Sequence, residues 1–155
     1  DRDVLRSGDS ESNTAAAPRC ADARLRLLAL SGQALPADRC KGIQAVPARC
    51  SQVRLSAQLL RAELSSSARR LRVERPGPLI ALAFPERVAR KGKNGRFILR
   101  DGTACTVEDP FLKEEEFLAV ARLRNGHSVT LAAPLSAAEA AGAVLSYVAD
   151  DLKKS

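Results

Sequence analysis

Residues 116 to 133, EFLAVARLRNGHSVTLAA, carry the strongest structural signal in the chain, an Asn-Gly pair between two apolar runs. The first run places its side chains alternately on two faces, as a β-strand does. Asn125 and Gly126 readily adopt the positive φ angles of a tight hairpin turn. The stretch therefore predicts that a strand over 116–124 pairs antiparallel with a strand over 128–133.

Two shorter strands are predicted upstream of this hairpin, at Arg96–Arg100 (RFILR) and Thr103–Val107 (TACTV). Asp101-Gly102 and Asp109-Pro110 are the turn signals that follow them. Four short strands are too few to close a barrel, because a five-stranded OB-type barrel needs one more. We therefore expect a small antiparallel OB-like β-barrel and leave open whether it is complete; a missing strand would follow the Lys-Lys-Ser end of the chain.

Helical periodicity dominates before residue 91, with a loop over 31–46. The three segments with this pattern are Asp22–Leu30, Pro47–Leu71 and Leu79–Arg90. An apolar stripe along the second consists of Val53, Ala57, Leu60, Leu64, Ala68 and Leu71. The third should bend or restart at Pro85, which removes a backbone donor. A last helix is predicted over Ser136–Leu152, where Ser136 and Glu139 match a capping box.

Helices followed by strands give an α+β fold with three parts. Residues 1–21 are polar and small, and we expect a flexible lead segment. Residues 22–90 form a helical region, and 91–155 form the OB-like domain with its terminal helix. Methionine is absent from the chain, so we expect Asp1 not to be a natural start and the chain to be a fragment.

The net charge of +7 has two open interpretations: attraction to phosphates, or the arginine-rich composition of a GC-rich genome. The densest basic cluster surrounds the turn KGKNG at 91–95, which also offers exposed backbone amides. Its members are Arg87, Arg90, Lys91, Lys93, Arg96 and Arg100. They are the candidate nucleic-acid-binding residues, and a plain solvated turn is the alternative. The only aromatic side chains nearby, Phe97 and Phe117, occupy expected core positions.

Reactive side chains do not form a catalytic or metal-binding pattern. The four cysteines, at positions 20, 40, 50 and 105, include no Cys-x-x-Cys pair, and His127 is the only histidine. We expect four free thiols in a cytoplasmic protein, with Cys105 buried, because neither a signal peptide nor a membrane-length apolar run occurs. His127 and the acidic run Glu114–Glu116 are interpreted as solvated. No catalytic residue and no metal site is predicted.

Six segments resemble, in order and spacing, the C-terminal region of HrpB-type DEAH-family ATP-dependent helicases. They are Asp1–Leu5 (DRDVL), Asp22–Gly32 (DARLRLLALSG), Leu79–Ala89 (LIALAFPERVA), Gly95–Gly102 (GRFILRDG), Asp109–Arg124 (DPFLKEEEFLAVARLR) and Val129–Leu135 (VTLAAPL). Each motif is weak alone, but the series is fairly specific. The insertion KEEE at 113–116 and the two cysteines of the loop near 33–49 depart from the family pattern.

This resemblance implies an accessory module that follows two RecA-like motor domains and contains the end of a helical region and an OB-like domain. The implied partners are the motor domains and single-stranded nucleic acid, RNA in the first instance, with no membrane. ATP and Mg²⁺ are expected in the motor domains only, since this chain lacks the GxxxxGK[ST] and DEAH motifs. The alternative is a non-catalytic protein-interaction or structural module that binds no nucleic acid.

Overall fold

The computed structural model describes residues 3–7, 20–63 and 75–143. The chain divides into two compact units, neither of which is continuous in sequence. The first comprises residues 1–17 and 24–73, and the second comprises 18–23 and 74–155. Helices and a closed β-barrel together give the α+β fold that the sequence predicts.

The first unit contains a two-stranded sheet and two helices. Strand β1 (Leu5–Ser7) pairs antiparallel with β2 (Ile43–Ala45), while α1 (Ala23–Ser31) and α2 (Pro47–Glu63) match the first two predicted helices where they are described. The sheet contradicts the loop predicted over 31–46 at Ile43–Ala45. It also places a strand at Leu5–Ser7 in the segment 1–21 that was expected to be flexible, of which residues 8–19 lie outside the described residues. Each strand is only three residues long, and the two pair across almost forty residues of sequence, so neither carries a local period.

Asp3 ties the start of the described chain to both helices of this unit. Its carboxylate accepts hydrogen bonds from Arg26 and from the Leu5 backbone N–H. Its carbonyl oxygen accepts from Arg49 at 2.7 Å. Arg54 donates to the Leu30 carbonyl at 2.6 Å, so a cation occupies the carboxyl end of α1, where carbonyl groups lack helical partners.

Apolar side chains of α2 remain exposed along most of the helix. Cys50 is its buried residue, whereas Leu55, Leu59 and Leu60 are each more than half exposed. The predicted stripe therefore contributes no buried residue over Val53–Leu60, and Leu64, Ala68 and Leu71 lie outside the described residues.

The second unit is built on five strands that close into a barrel. In chain order they are β3 (Val88–Lys91), β4 (Phe97–Leu99), β5 (Ala104–Val107), β6 (Phe117–Arg124) and β7 (Ser128–Leu135). The barrel order is β3-β4-β5-β7-β6, with β6 returning to β3. All neighbours are antiparallel except β5 and β7, and the short helix α4 (Pro110–Lys113) connects β5 to β6. The barrel is therefore OB-like in strand number and closure, as the sequence predicts, but the parallel pair makes it mixed rather than wholly antiparallel.

Strand β3 corrects two predictions. The helix expected over 79–90 is wrong in its second half: α3 (Gly77–Ala83) ends before Pro85, a 3-10 turn occupies Pro85–Arg87, and the chain then extends. The fifth barrel strand therefore precedes the other four, and the barrel is complete. The boundary expected between residues 90 and 91 falls inside β3. Four residues are too few to show a strand period, and their partner β6 lies almost thirty residues later.

The hairpin and the capping box are confirmed. β6 and β7 pair from Phe117↔Leu135 to Arg124↔Ser128, and Asn125 and Gly126 have φ angles of 53° and 76°. Residues 137–143 are helical. The Ser136 and Glu139 side chains each accept a hydrogen bond from the other residue's backbone N–H, at 3.2 and 2.8 Å. The rest of this predicted helix lies outside the described residues.

Apolar side chains form one layer inside the barrel wall and a second layer on its outside. Phe97, Leu118 and Val120 are fully buried inside the barrel, with Leu112 of α4 beside them. On the outside, α3 and helix 137–143 cover one sector, and the buried residues there are Ala81, Val88, Ala119, Leu135, Ala140 and Ala143. α3 approaches β7 so closely that a Cβ atom on Gly77 would lie 2.2 Å from the Pro134 carbonyl oxygen.

The segment before α1 also belongs to the barrel. Asp22 forms a parallel bridge with Ala132, and the Ala132 N–H donates to the Ala21 carbonyl at 2.9 Å. Asp109, which is buried, accepts from the Ala21 N–H at 2.9 Å and caps α4 through the N–H groups of Phe111 and Leu112. One carboxylate thus joins two parts of the chain that are far apart in sequence.

Candidate nucleic-acid interface

A groove of about 910 Å³ opens on the outer face of the barrel. Its floor and walls come from β3, β4, the start of β6 and one side of helix 137–143. Apolar side chains form most of the lining, including Ile98, Phe117 and Ala140. Four cations also line it, namely Arg90, Lys91, Lys93 and Arg100, and no acidic residue belongs to the lining. An apolar floor edged by one sign of charge suits a ligand that is both apolar and anionic.

Strand register explains how Ile98, Arg90 and Phe117 come together. Arg90 pairs with Ile98 of β4 on one side and with Phe117 of β6 on the other. Ile98 is flanked by the buried Phe97 and Leu99, so its own side chain points outward. The three residues therefore form one row across three neighbouring strands. Ile98 is 46% exposed, which leaves a large aliphatic surface open to a ligand.

The turn between β3 and β4 sits at one end of the groove. The Gly92 N–H donates to the Arg96 carbonyl at 2.7 Å, and the Gly95 N–H donates to the Gly92 carbonyl at 3.2 Å. Gly95 has a φ of 70°, a conformation that glycine adopts without steric cost. A Cβ on Gly92 would lie 3.2 Å from the Arg96 carbonyl oxygen, so glycine relieves a tight contact within this turn. These bonds hold Lys93 and Arg96 on an exposed tip.

The predicted basic residues are not equivalent in the structure. Arg90 lies 3.8 Å from Glu116 and has its guanidinium 5.8 Å from the centre of the Phe117 ring. Lys91 donates to the Lys113 carbonyl oxygen. The Lys93 and Arg96 side chains are exposed and form no hydrogen bond or ion pair with the described residues. The cluster therefore combines cations held against the barrel with cations available to solvent or ligand.

Arg87 is not brought to the groove. Its guanidinium lies 4.9 Å from the Phe84 ring centre and donates to the Ala121 carbonyl oxygen at 3.1 Å. Its side chain also approaches Glu86 at 3.5 Å. The contacts of Arg87 are thus structural, on a different part of the barrel wall.

Other candidate groups are placed as the sequence predicts. His127 is exposed at the tip of the β6–β7 hairpin, and its Nδ1 lies 2.7 Å from the Asn125 carbonyl oxygen. The four cysteines are free thiols, and Cys105 is buried. Burial, with a smaller effect from Asp101, raises the pKa of the Cys105 thiol to about 11, so this group stays protonated at neutral pH.

Two findings concern the described residues only. No three histidine, cysteine or carboxylate residues among them converge as a metal site would require. No described helix has the length and apolar character needed to cross a bilayer.

Sequence reasoning missed the apolar half of the groove. Phe117 was expected in the core, and Ile98 was not considered apart from its strand. The row depends on β3, which was predicted as helix, so no pattern could have aligned Arg90 with its two neighbours. The small residues Ala137, Ala140 and Ala141 complete the wall of the groove. The helical periodicity of their segment was the one sequence signal that could have placed them there.

Comparison with protein-family models, with curated proteins and with solved structures gives no match to this chain. The resemblance to HrpB-type helicases thus remains a prediction carried by the sequence segments named above.

Proposed function

We propose that this chain is a non-catalytic accessory module of an ATP-dependent helicase. Its barrel would hold single-stranded nucleic acid along the groove and the turn 92–96. The motor domains of the parent protein supply ATP binding and Mg²⁺ in this proposal. RNA is the first candidate strand, and the cytoplasm is the expected compartment. The observation that carries the proposal is the groove itself, where four cations and no acid border an apolar floor.

The position of the basic turn supports this function. In OB barrels the loops between strands 1 and 2 and between strands 4 and 5 flank the surface that binds oligonucleotides. Here these loops are the turn 92–96, which contributes to the lining of the groove, and the hairpin tip at 125–127, which does not. Phosphate contacts from flexible cations and backbone N–H groups fix a strand without reading its sequence. The arrangement therefore favours sequence-tolerant binding.

Titration of a fluorescent single-stranded RNA by anisotropy, at two salt concentrations, tests the proposal. Binding should weaken steeply with salt, because each neutralised phosphate contributes about 0.7 to the slope of log K against log salt for single strands. The double variant K93Q/R96Q should bind more weakly and reduce the slope by about 1.4 if both side chains contact phosphates.

A matched control removes the same charge elsewhere. Lys41 and Arg61 are exposed residues of the first unit, so K41Q/R61Q lowers the net charge equally without touching the groove. If both double variants lose affinity equally, the attraction is a property of net charge rather than of the turn. If the unmodified chain binds no RNA even at low salt, the direct-contact proposal is wrong.

One observation favours a second candidate, a protein-interaction module. The leucines of α2 at positions 55, 59 and 60 expose large apolar side chains, which is common at protein interfaces. Mixing the chain with its separately expressed motor domains distinguishes the candidates. A stable complex or a gain in ATPase activity, without RNA binding by the chain alone, supports the second.

A further inference from the structure

From the groove we infer a base-stacking subsite: the row Ile98–Arg90–Phe117 receives an unpaired base of the bound strand while the surrounding cations hold its phosphates. This inference rests on the proposed function and assigns a role to the apolar floor of the groove. The ligand of the groove is then a nucleic acid with exposed base faces, and duplex is excluded as a ligand.

The dimensions of the row fit a flat aromatic ligand. Neighbouring strands in a sheet lie about 4.8 Å apart, so Ile98 and Phe117 are separated by roughly 10 Å across the Arg90 strand. The Arg90 guanidinium already lies beside the Phe117 ring, with a separation of 5.8 Å from its centre. Bases stack on phenylalanine rings and on guanidinium planes. One row thus presents an aromatic, a planar cation and an aliphatic surface side by side.

Charge complementarity identifies the ligand class. Phosphates can contact the exposed Lys93 and lie near the other cations of the lining, but they gain nothing from Ile98 or Phe117. A purely apolar ligand would gain nothing from the positive charge around the groove. An unpaired nucleotide offers both surfaces at once, whereas in a duplex each base face is covered by its neighbours. The strand should therefore bind better than the same sequence in paired form.

The decisive experiment compares three RNA ligands of equal length and charge per strand on the unmodified full chain: a single strand, the same backbone with abasic residues, and the duplex. Stacking of one base contributes roughly 1–3 kcal/mol, or at least about fivefold in affinity. The abasic strand and the duplex should each bind at least about fivefold more weakly than the single strand at the same salt. The salt slope for the abasic strand should be unchanged, because its phosphates remain.

A variant pair locates the subsite. F117L keeps an apolar side chain for the outer layer but removes the ring, and it should bind the normal strand about as weakly as the abasic one, with no additional loss when both changes are combined. L82A is the matched control, since Leu82 is 62% exposed and does not line the groove. Thermal unfolding of both variants establishes that they are folded.

The outcomes separate the two proposals. Equal affinity for normal and abasic strands, with salt-dependent binding retained, overturns the subsite and leaves the proposed function standing. Absence of binding to all three ligands overturns both. Displacement of the strand by adenosine monophosphate at equal concentration would overturn the strand as occupant, because the groove would then be a site for a free nucleotide.

Discussion

The barrel and α2 both contain many apolar residues, but these residues are buried in the barrel and exposed on α2. In the barrel, inward positions such as Phe97 and Leu118 are completely buried, and in α2 Leu55, Leu59 and Leu60 are more than half exposed. A closed ring of hydrogen-bonded strands fixes the inner and outer face of each residue. A helix has an apolar stripe but no such closure, so its burial depends on a partner surface. Periodicity therefore predicts burial reliably only where the backbone pairing closes.

The largest expected effect comes from truncating one leucine in each region. L118A removes a fully buried side chain and should destabilise the chain by about 2–5 kcal/mol, the range for leucine-to-alanine changes in cores. L60A, at a residue 59% exposed, should change stability by no more than about 0.5 kcal/mol. Urea unfolding measures both. Comparable losses of stability would mean that the apolar side chains of α2 are covered in solution, so that α2 and the barrel do not differ in burial.

Close packing of α3 on the barrel gives the next largest effect. G77A places a Cβ 2.2 Å from the Pro134 carbonyl oxygen, so backbone must shift, and we expect a loss of about 1–3 kcal/mol. G142A lies in helix 137–143, where an added Cβ meets no atom within 4 Å. It should be neutral or stabilising by up to about 1 kcal/mol. Thermal unfolding distinguishes them, and equal melting temperatures would contradict this close approach.

Removing the carboxylate of Asp109 or of Asp3, each of which binds an early part of the chain, should change the stability by a smaller amount. The two losses should also differ from each other. Asp109 is buried and accepts from three backbone N–H groups, so D109A should cost about 1–2 kcal/mol and expose the Ala21 amide to hydrogen exchange. Asp3 is only half-buried and pairs with Arg26, so D3A should cost less. A larger loss for D3A would show that the first unit, not the barrel, determines stability.

The smallest effect is a local pH dependence of helix 137–143. The Ser136 backbone N–H, which donates to Glu139, is the main reason that the pKa of this carboxyl lies below its ordinary 4.5, and Arg75 adds to the effect. A lowered folded-state pKa means that the cap stabilises the helix fully above pH 4.5 and that this contribution is lost as the pH falls through the folded-state pKa. The hydrogen-exchange protection factor of Ala140 should fall over that range. E139Q should remove the pH dependence, and a persistent dependence would assign it to another group.

Local signals account for the parts of the fold that the sequence predicts. The Asn125-Gly126 turn, the Ser136–Glu139 cap and the start of α2 at Pro47 each depend on residues within one turn of each other. Strand β3 depends instead on pairing with distant strands, and the Asp109–Ala21 contact joins residues 88 positions apart. Such contacts leave no periodic trace in the chain.

The residues of the candidate site also separate into those placed by local sequence and those placed by long-range contacts. The exposed Lys93 and Arg96 could be predicted from the glycine-rich composition of their turn. The diversion of Arg87 to Phe84 and Ala121 could not, because it depends on where the chain turns at Pro85 and on the neighbouring strand β6. The placement of Ile98 and Phe117 on either side of Arg90 likewise required the register of three strands.

Residues 18–23 limit where the chain can be cut into separate fragments. They belong to the barrel unit, although the chain on both sides of them belongs to the first unit. A fragment that starts at residue 74 would therefore lack the carbonyl of Ala21, and the Ala132 N–H and one side of Asp109 would lose a bonding partner. We therefore expect two separately produced pieces, 1–63 and 74–155, to bind each other, because the first carries the Ala21 backbone groups that the second lacks.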